Sequence, residues 1–333
     1  MTMEAIAPAG KAAAAKAAGD ARQAAGALAA LALLAAAPFF ASPYTLTVLG
    51  TFIAYAIALL GFNLLLGYCG LLSFGHAMFI AIGAYTAAAY TKLGLPYLEL
   101  TLLTAMAACA IAAFLIGLFC VRYTKIFFGM LTLAFGMTFH SFLFKFYNVT
   151  GGDQGMRVGR PLLAGFDFAG GKTAFLTGPF YYYALILLCL FGFLAWRIVH
   201  SPFGLQLRAA RDNPQKAAYL GVEVHRVRLW AFVISALYCG IAGVLIGVGV
   251  GLADPELGYW TQSGNLVFMT ILGGSGVFGG PVLGAFVFVF LQDFLVAWTE
   301  YWRFVLGAIL VAIVVFFPEG LAGLLLRLRR RES

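Results

Sequence analysis

The chain has 333 residues, of which 63% are hydrophobic and 10% charged, with a formal net charge of +8 at pH 7. An ordinary soluble domain carries roughly a quarter charged residues, so this composition cannot clothe a water-exposed surface and a soluble globular fold is excluded. The positive charge gathers in a few loops instead of covering a face, which points to membrane topology and away from a nucleic-acid partner.

Residues 1–25 are Ala-rich with scattered Lys and Arg and read as a cytoplasmic tail, since they lack the cleavage pattern of a signal peptide. Apolar runs then lie near 26–41, 44–66, 71–90, 100–120, 126–145, 180–199, 229–251, 262–275, 280–297 and 303–318. A spanning helix needs about 20 mostly apolar residues, and a helix satisfies its own backbone where water is absent. The expectation is an all-α, polytopic transmembrane bundle over 26–320, with about ten passages including broken or re-entrant segments, followed by a basic tail at 321–333.

Orientation follows from the placement of Lys and Arg in short loops. The segment carrying Arg197, Arg208, Arg211, Lys216, Arg226 and Arg228 and the tail with Arg327, Arg329, Arg330 and Arg331 are both expected in the cytoplasm. The turn with Arg122 and Lys125 then falls inside, and the turns at 91–99 and 252–259 fall outside. Loop 146–179 falls outside although it holds Arg157, Arg160 and Lys172; long Gly-rich loops obey the rule less strictly. The stretch 257–296 is interrupted by GGSGVFGG at 273–280, and parity requires two passages there, which leaves both termini cytoplasmic.

Residues 61–88 set Asn63, Tyr68, Ser73 and His76 among glycines within apolar helices. Polar groups at membrane depth either line a solute path, as Gly-broken spans do in transporters, or bond between helices; Ser73 and His76, three apart, can satisfy one another. With Gly273, Gly274 and Gly276 of the later break they form the candidate substrate pathway.

In residues 201–232, Asp212 or Asn213 can cap a helix over roughly 214–220, Pro214 suits its first turn and Gly221 the left-handed position after it, while another helix precedes it at about Gly204–Arg211. Such a basic segment between two spans is either a docking element or a plain inter-helix loop.

Other patterns carry less. Gly274, Gly276 and Gly279 fit GxGxxG without a surrounding βαβ unit, and GGKT at 170–173 lacks the earlier glycine and the strand of a phosphate loop, so no nucleotide site of its own is assigned. The triplet Asn148-Val149-Thr150 fits a glycosylation sequon but stands without support. Cys69, Cys109, Cys120, Cys189 and Cys239 read as small core residues, with no metal site. Glycines 243, 247 and 251, and 280 and 284, repeat every four residues and suit close helix packing. Asp293, with His140 and Glu300 nearby, is nearly alone among membrane ionisable groups, which disfavours a proton or sodium relay. A hydrolase using Ser73 and His76 lacks an orienting acid.

The segments NLLLGYCGLLSFGHAMFIAIGAYTAA (63–88), TLAFGMTF and TGGDQGM (132–139 and 150–156), SPFGLQLRAARDNPQKAAYLGV (201–222) and ILGGSGVFGGPVLGA (271–285) together resemble the permease subunits of branched-chain amino acid ABC importers, the second permease type in particular. The resemblance covers about residues 44–325. It implies that 201–228 is the coupling segment received by a separate ATPase, with Gly204, Arg208, Ala209, Asp212, Asn213, Ala217 and Gly221 at the positions of its pattern and Arg211 beside them. It further implies a homologous second permease subunit, two cytoplasmic ABC ATPase subunits that use ATP, a solute-binding protein, and a bacterial inner membrane with its lipid. Cys69, Leu71, Leu72, Met78 and the Ala-rich leader depart from the family's common pattern. The expectation is therefore a non-enzymatic transport subunit, without a cofactor of its own, that passes leucine, isoleucine, valine or a similar zwitterion. The alternatives are urea, short amides or aromatic carboxylates as substrate, or a self-contained secondary transporter or channel.

Overall fold

The computed structural model describes residue 26 and residues 29–95, 97–163, 165–166, 171–316 and 320–323. The expected N-terminal tail and nearly all of the basic C-terminal tail, with Arg327, Arg329, Arg330 and Arg331, lie outside them.

Each apolar run of the sequence holds a helix. The helices are α1 (Ala29–Phe40), α2 (Pro43–Asn63, continued as a π-turn over Leu64–Tyr68), α3 (Ala77–Lys92), α4 (Leu98–Cys120) and α5 (Ile126–Lys145). After the short α6 (Tyr147–Thr150) and α7 (Lys172–Thr177) come α8 (Pro179–Val199), α9 (Pro202–Asp212), α10 (Pro214–Tyr219), α11 (Val224–Val250), α12 (Trp260–Gly273), α13 (Gly280–Trp298) and α14 (Trp302–Phe316). Six helical stretches among the described residues are long and apolar enough to cross a membrane: Pro43–Tyr68, Leu98–Cys120, Ile126–Lys145, Lys172–Val199, Val224–Val250 and Gly280–Trp298.

Six of the ten expected passages thus hold a helix of full spanning length among the described residues; α1, α3, α12 and α14 are shorter, and at α3 and α12 the reason is visible. With 16 and 14 residues, they reach roughly 24 and 21 Å, against a hydrocarbon core of about 30 Å. Chain that is not α-helical precedes each of them, with a short 3-10 turn at Pro255–Gly258 ahead of α12, and packs inward. Ser73 and His76 ahead of α3 are fully buried, and Gly258 ahead of α12 packs between Ala81 of α3 and Leu143 of α5. The two helix starts meet where the Ala77 amide donates to Ser263 Oγ at 2.9 Å.

Helix α11 is the hub and packs on α2, α3 and α4. Glycine makes this possible: a side chain at Gly243 would strike the Ile80 carbonyl, one at Gly83 the Gly240 carbonyl, and one at Gly240 would come within 2.6 Å of Cys109 Sγ. Such backbone-to-backbone approach is the usual basis of helix association in lipid. Gly280 and Gly284 serve in the same way between α13 and α12, whereas Gly251, at φ 84°, caps the end of α11 instead. Cys69, Cys109, Cys120 and Cys239 are buried as expected, but Cys189 is exposed because it sits on the outward face of α8.

The loops sort into two ends. At one end, strand β1 (Met156–Arg157) pairs antiparallel with β2 (Leu252–Ala253), the Leu98 amide donates to Leu162 O, and Lys172 Nζ reaches the Val250 carbonyl. Loop 146–179 therefore shares an end with 252–259, where parity put it despite its charge. At the other end, α9, residues 67–70 and the 274–279 break come together.

Candidate translocation and coupling site

Helix α2 changes character at its end. The Cys69 amide bonds to Leu64 O and the Leu71 amide to Leu65 O, giving a π-turn, and Gly70 then reverses the chain at φ 74°. Turns of this kind are frequent at functional sites. Asn63 is buried and its Oδ1 has no hydrogen-bond partner among the described residues. It lies beside Gly67, where a side chain would strike both Asn63 Oδ1 and the Ser275 carbonyl. Tyr68 is largely buried, and the Arg208 guanidinium stands 5.3 Å from its ring centre.

Ser73 and His76 lie deeper. His76 Nδ1 is 2.7 Å from Ser73 Oγ and its Nε2 is 2.9 Å from Ser235 Oγ on α11. Phe62, Phe79 and Phe232 surround the imidazole edge-on, at 4.9, 5.4 and 5.3 Å. Both ring nitrogens are satisfied, so in this conformation the pair clamps the start of α3 to α11 inside the packing. The far nitrogen meets a hydroxyl and not the carboxylate that orients a catalytic base. Ser235, Ser263 and Thr132 complete the polar framework, Thr132 by accepting the Phe74 amide at 3.3 Å. Ser235 and Thr132 each sit in an apolar run, whereas Ser263 lies in the polar stretch Thr261–Asn265, and neither setting marks their partners.

Of the glycines in the break, Gly273 ends α12 against the Gly280 carbonyl, Gly274 turns the chain at φ 98°, and Gly276 has open space around it. The GxGxxG pattern therefore spans a link between two helices.

The 201–222 segment folds as its local chemistry dictates. Ser201 Oγ caps α9 by accepting the Gly204 amide, and Pro202 opens the helix. A side chain at Gly204 would strike the carbonyls of Ile198 and Val199, so glycine is needed for the sharp exit from α8. Leu207 and Ala210 are fully buried against the bundle. Arg208 Nη2 donates to Val199 O at 3.2 Å; Arg211 Nη1 donates to Gly67 O at 2.6 Å, and its Nε to Asp212 Oδ1 at 3.0 Å. Asn213 Oδ1 caps α10 by accepting the Lys216 amide at 2.9 Å, Pro214 begins it, Ala217 is buried, and Gly221 follows at φ 87°. The tip presents Tyr219 and Leu220, 90% and 85% exposed.

Elsewhere, Asp293 accepts a hydrogen bond from the Tyr44 hydroxyl. Gly170 of the GGKT stretch lies outside the described residues, and Lys172 opens a six-residue helix. No group of three or more His, Cys, Asp or Glu residues placed to hold a metal ion occurs among the described residues.

A family model described as "Branched-chain amino acid transport system / permease component" matches residues 44–314. The chain is 30% identical over 303 residues to the high-affinity branched-chain amino acid transport system permease protein LivM of Escherichia coli (strain K12), covering 85% of this chain and 71% of that one. It is 27% identical over 286 residues to the corresponding permease protein LivH of Salmonella typhimurium, covering 81% and 91%. The autoinducer 2 import system permease protein LsrC of Escherichia coli O157:H7 is 30% identical over 158 residues, 44% of this chain and 45% of that one. No solved structure gives a significant match. An all-helical bundle with helices of spanning length, matched over most of its length, identifies a multi-pass membrane protein: the chain belongs to the family of branched-chain amino acid transport system permease components.

Proposed function

We propose that this chain is a permease subunit of an ABC importer for leucine, isoleucine, valine or a similar small zwitterion, and that residues 201–228 couple it to a separate ATPase. The observation that carries the reading is the capped α9–α10 segment. One face is fixed to the bundle through Leu207, Ala210, Arg208 and Arg211, while its tip offers Tyr219 and Leu220 bare among basic residues. Apolar side chains so exposed outside the apolar spans fit a partner's cleft, and the surrounding Arg and Lys put this end in the cytoplasm. The N- and C-termini then face the cytoplasm of a bacterial inner membrane.

The partners are a homologous second permease subunit, two cytoplasmic ABC ATPase subunits that hydrolyse ATP, and a solute-binding protein; the chain itself needs no cofactor and performs no chemistry. The substrate path runs beside Asn63, Tyr68 and the Gly-rich break, and the starts of α3 and α12, meeting at Ala77 and Ser263, suit recognition of a zwitterion by helix termini. Opening such a path requires the Ser73–His76–Ser235 clamp to shift or the break to swing.

Purification in mild detergent, with the solute-binding protein added back, tests the reading. Recovery of an ATPase stimulated by branched-chain amino acids above urea, amides and aromatic carboxylates supports it. An isolated chain that moves substrate without an ATPase overturns it in favour of a secondary transporter.

A further inference from the structure

We propose, on the importer reading above, that Arg211 is the positioning residue that ties the docking segment to the Gly-rich break, acting through the carbonyl of Gly67. Three contacts in series carry this. Arg211 Nη1 donates to Gly67 O at 2.6 Å, a short charge-assisted bond to a carbonyl at the π-turn. The arginine stem crosses Gly70, where a side chain would come within 2.6 Å of Cγ, and the φ of 74° at Gly70 aims the chain around it. On its other side Gly67 is pressed against the Ser275 carbonyl, in the turn between α12 and α13.

These groups are in direct contact. Leu207 and Ala210, fully buried, seat α9 on the bundle, and Asp212 holds the guanidinium from behind through Nε. A shift of α9 therefore pulls on Gly67 directly, and Gly67 bears on Ser275. The break can answer because Gly274 supplies the hinge and Gly276 has open space around it. Arg208 differs: it bonds back to Val199 at the end of α8 and covers Tyr68, so it braces the exit of α8 and does not reach the break. A contiguous chain of packed groups is the kind of path that carries coupling, and coupling is what must be measured.

The test uses the assembled importer in proteoliposomes with its binding protein. Arg211→Met keeps the stem and removes the donors; Arg211→Lys restores one. With Arg211→Met, solute moved per ATP hydrolysed falls at least about fivefold, and Arg211→Lys recovers a large part of it. Spin labels at Gln215→Cys and Gly276→Cys, in a Cys189→Ser background because Cys189 is exposed, read a nucleotide-dependent distance change that Arg211→Met abolishes. If Arg211→Met assembles poorly, Arg211→Leu, which also lacks a donor, carries the same measurement.

Unchanged solute per ATP and an unchanged distance response in either donor-depleted variant overturn the role of Arg211 while leaving the importer intact. Failure of the wild-type chain to recover any ATPase overturns the importer reading and the role of Arg211 together.

Discussion

Replacing His76 by Leu removes the centre of the Ser73–His76–Ser235 clamp. Two buried hydrogen bonds, at 2.7 and 2.9 Å, are lost; the Ser235 hydroxyl loses its partner, while Ser73 Oγ still accepts the Gly75 amide at 3.4 Å. Inter-helix hydrogen bonds in membranes average about 0.6 kcal/mol with a maximum near 1.7, while each buried polar group left without a partner costs about 1–3 kcal/mol. The Leu side chain keeps the apolar contacts with Phe62, Phe79 and Phe232, so the predicted loss is about 2–5 kcal/mol, dominated by the orphaned Ser235 hydroxyl. The assay is reversible unfolding of the purified chain by denaturant titration in mixed micelles. The decisive comparison is His76→Leu with Ser235→Ala added. Removing that orphan should return about 1–3 kcal/mol, so the double variant is more stable than the single one. A double variant equal to the sum of its separate losses refutes the clamp and gives His76 a role other than bonding α3 to α11.

Gly243→Val places a side chain on the Ile80 carbonyl, beyond the usual overpacking penalty of about 1–3 kcal/mol; monodisperse yield in detergent should collapse, and a normal elution profile would contradict the α3–α11 contact. Tyr219→Asp with Leu220→Asp, both on exposed positions, should leave the chain's own unfolding midpoint unchanged while abolishing co-purification of the ATPase. Gly221→Pro demands a negative φ where the chain has 87° and should uncouple transport from ATP hydrolysis without loss of membrane insertion; normal uptake would count against 201–228 as the coupling segment.

Local chemistry made the fold of residues 201–222 readable from the sequence. Asn213, Pro214 and Gly221 each act within three or four residues of themselves, and α10 runs from Pro214 to Tyr219 with those residues in the expected roles. The close-packing glycines were readable for the same reason, since a period of four on one helix needs no knowledge of the partner; only Gly251 differed. The short length of α3 was not readable, because hydropathy scores 71–76 with the apolar run behind it and does not tell non-helical chain from helix. The partners of the site were equally hidden. Ser235 is 159 positions from His76, and Arg211 is 144 from Gly67, so neither contact leaves a local pattern. The π-turn at Leu64–Tyr68 has no mark beyond Gly67 itself, whose small size is explained only once Ser275 is seen against it.

Uptake of labelled leucine into proteoliposomes containing this chain, its second permease subunit and the ATPase pair, with ATP enclosed and the binding protein outside, tests the central claim most directly. The importer account predicts accumulation that requires ATP, the ATPase and the binding protein together. Accumulation by this chain alone, driven by an ion gradient and indifferent to ATP, would contradict it.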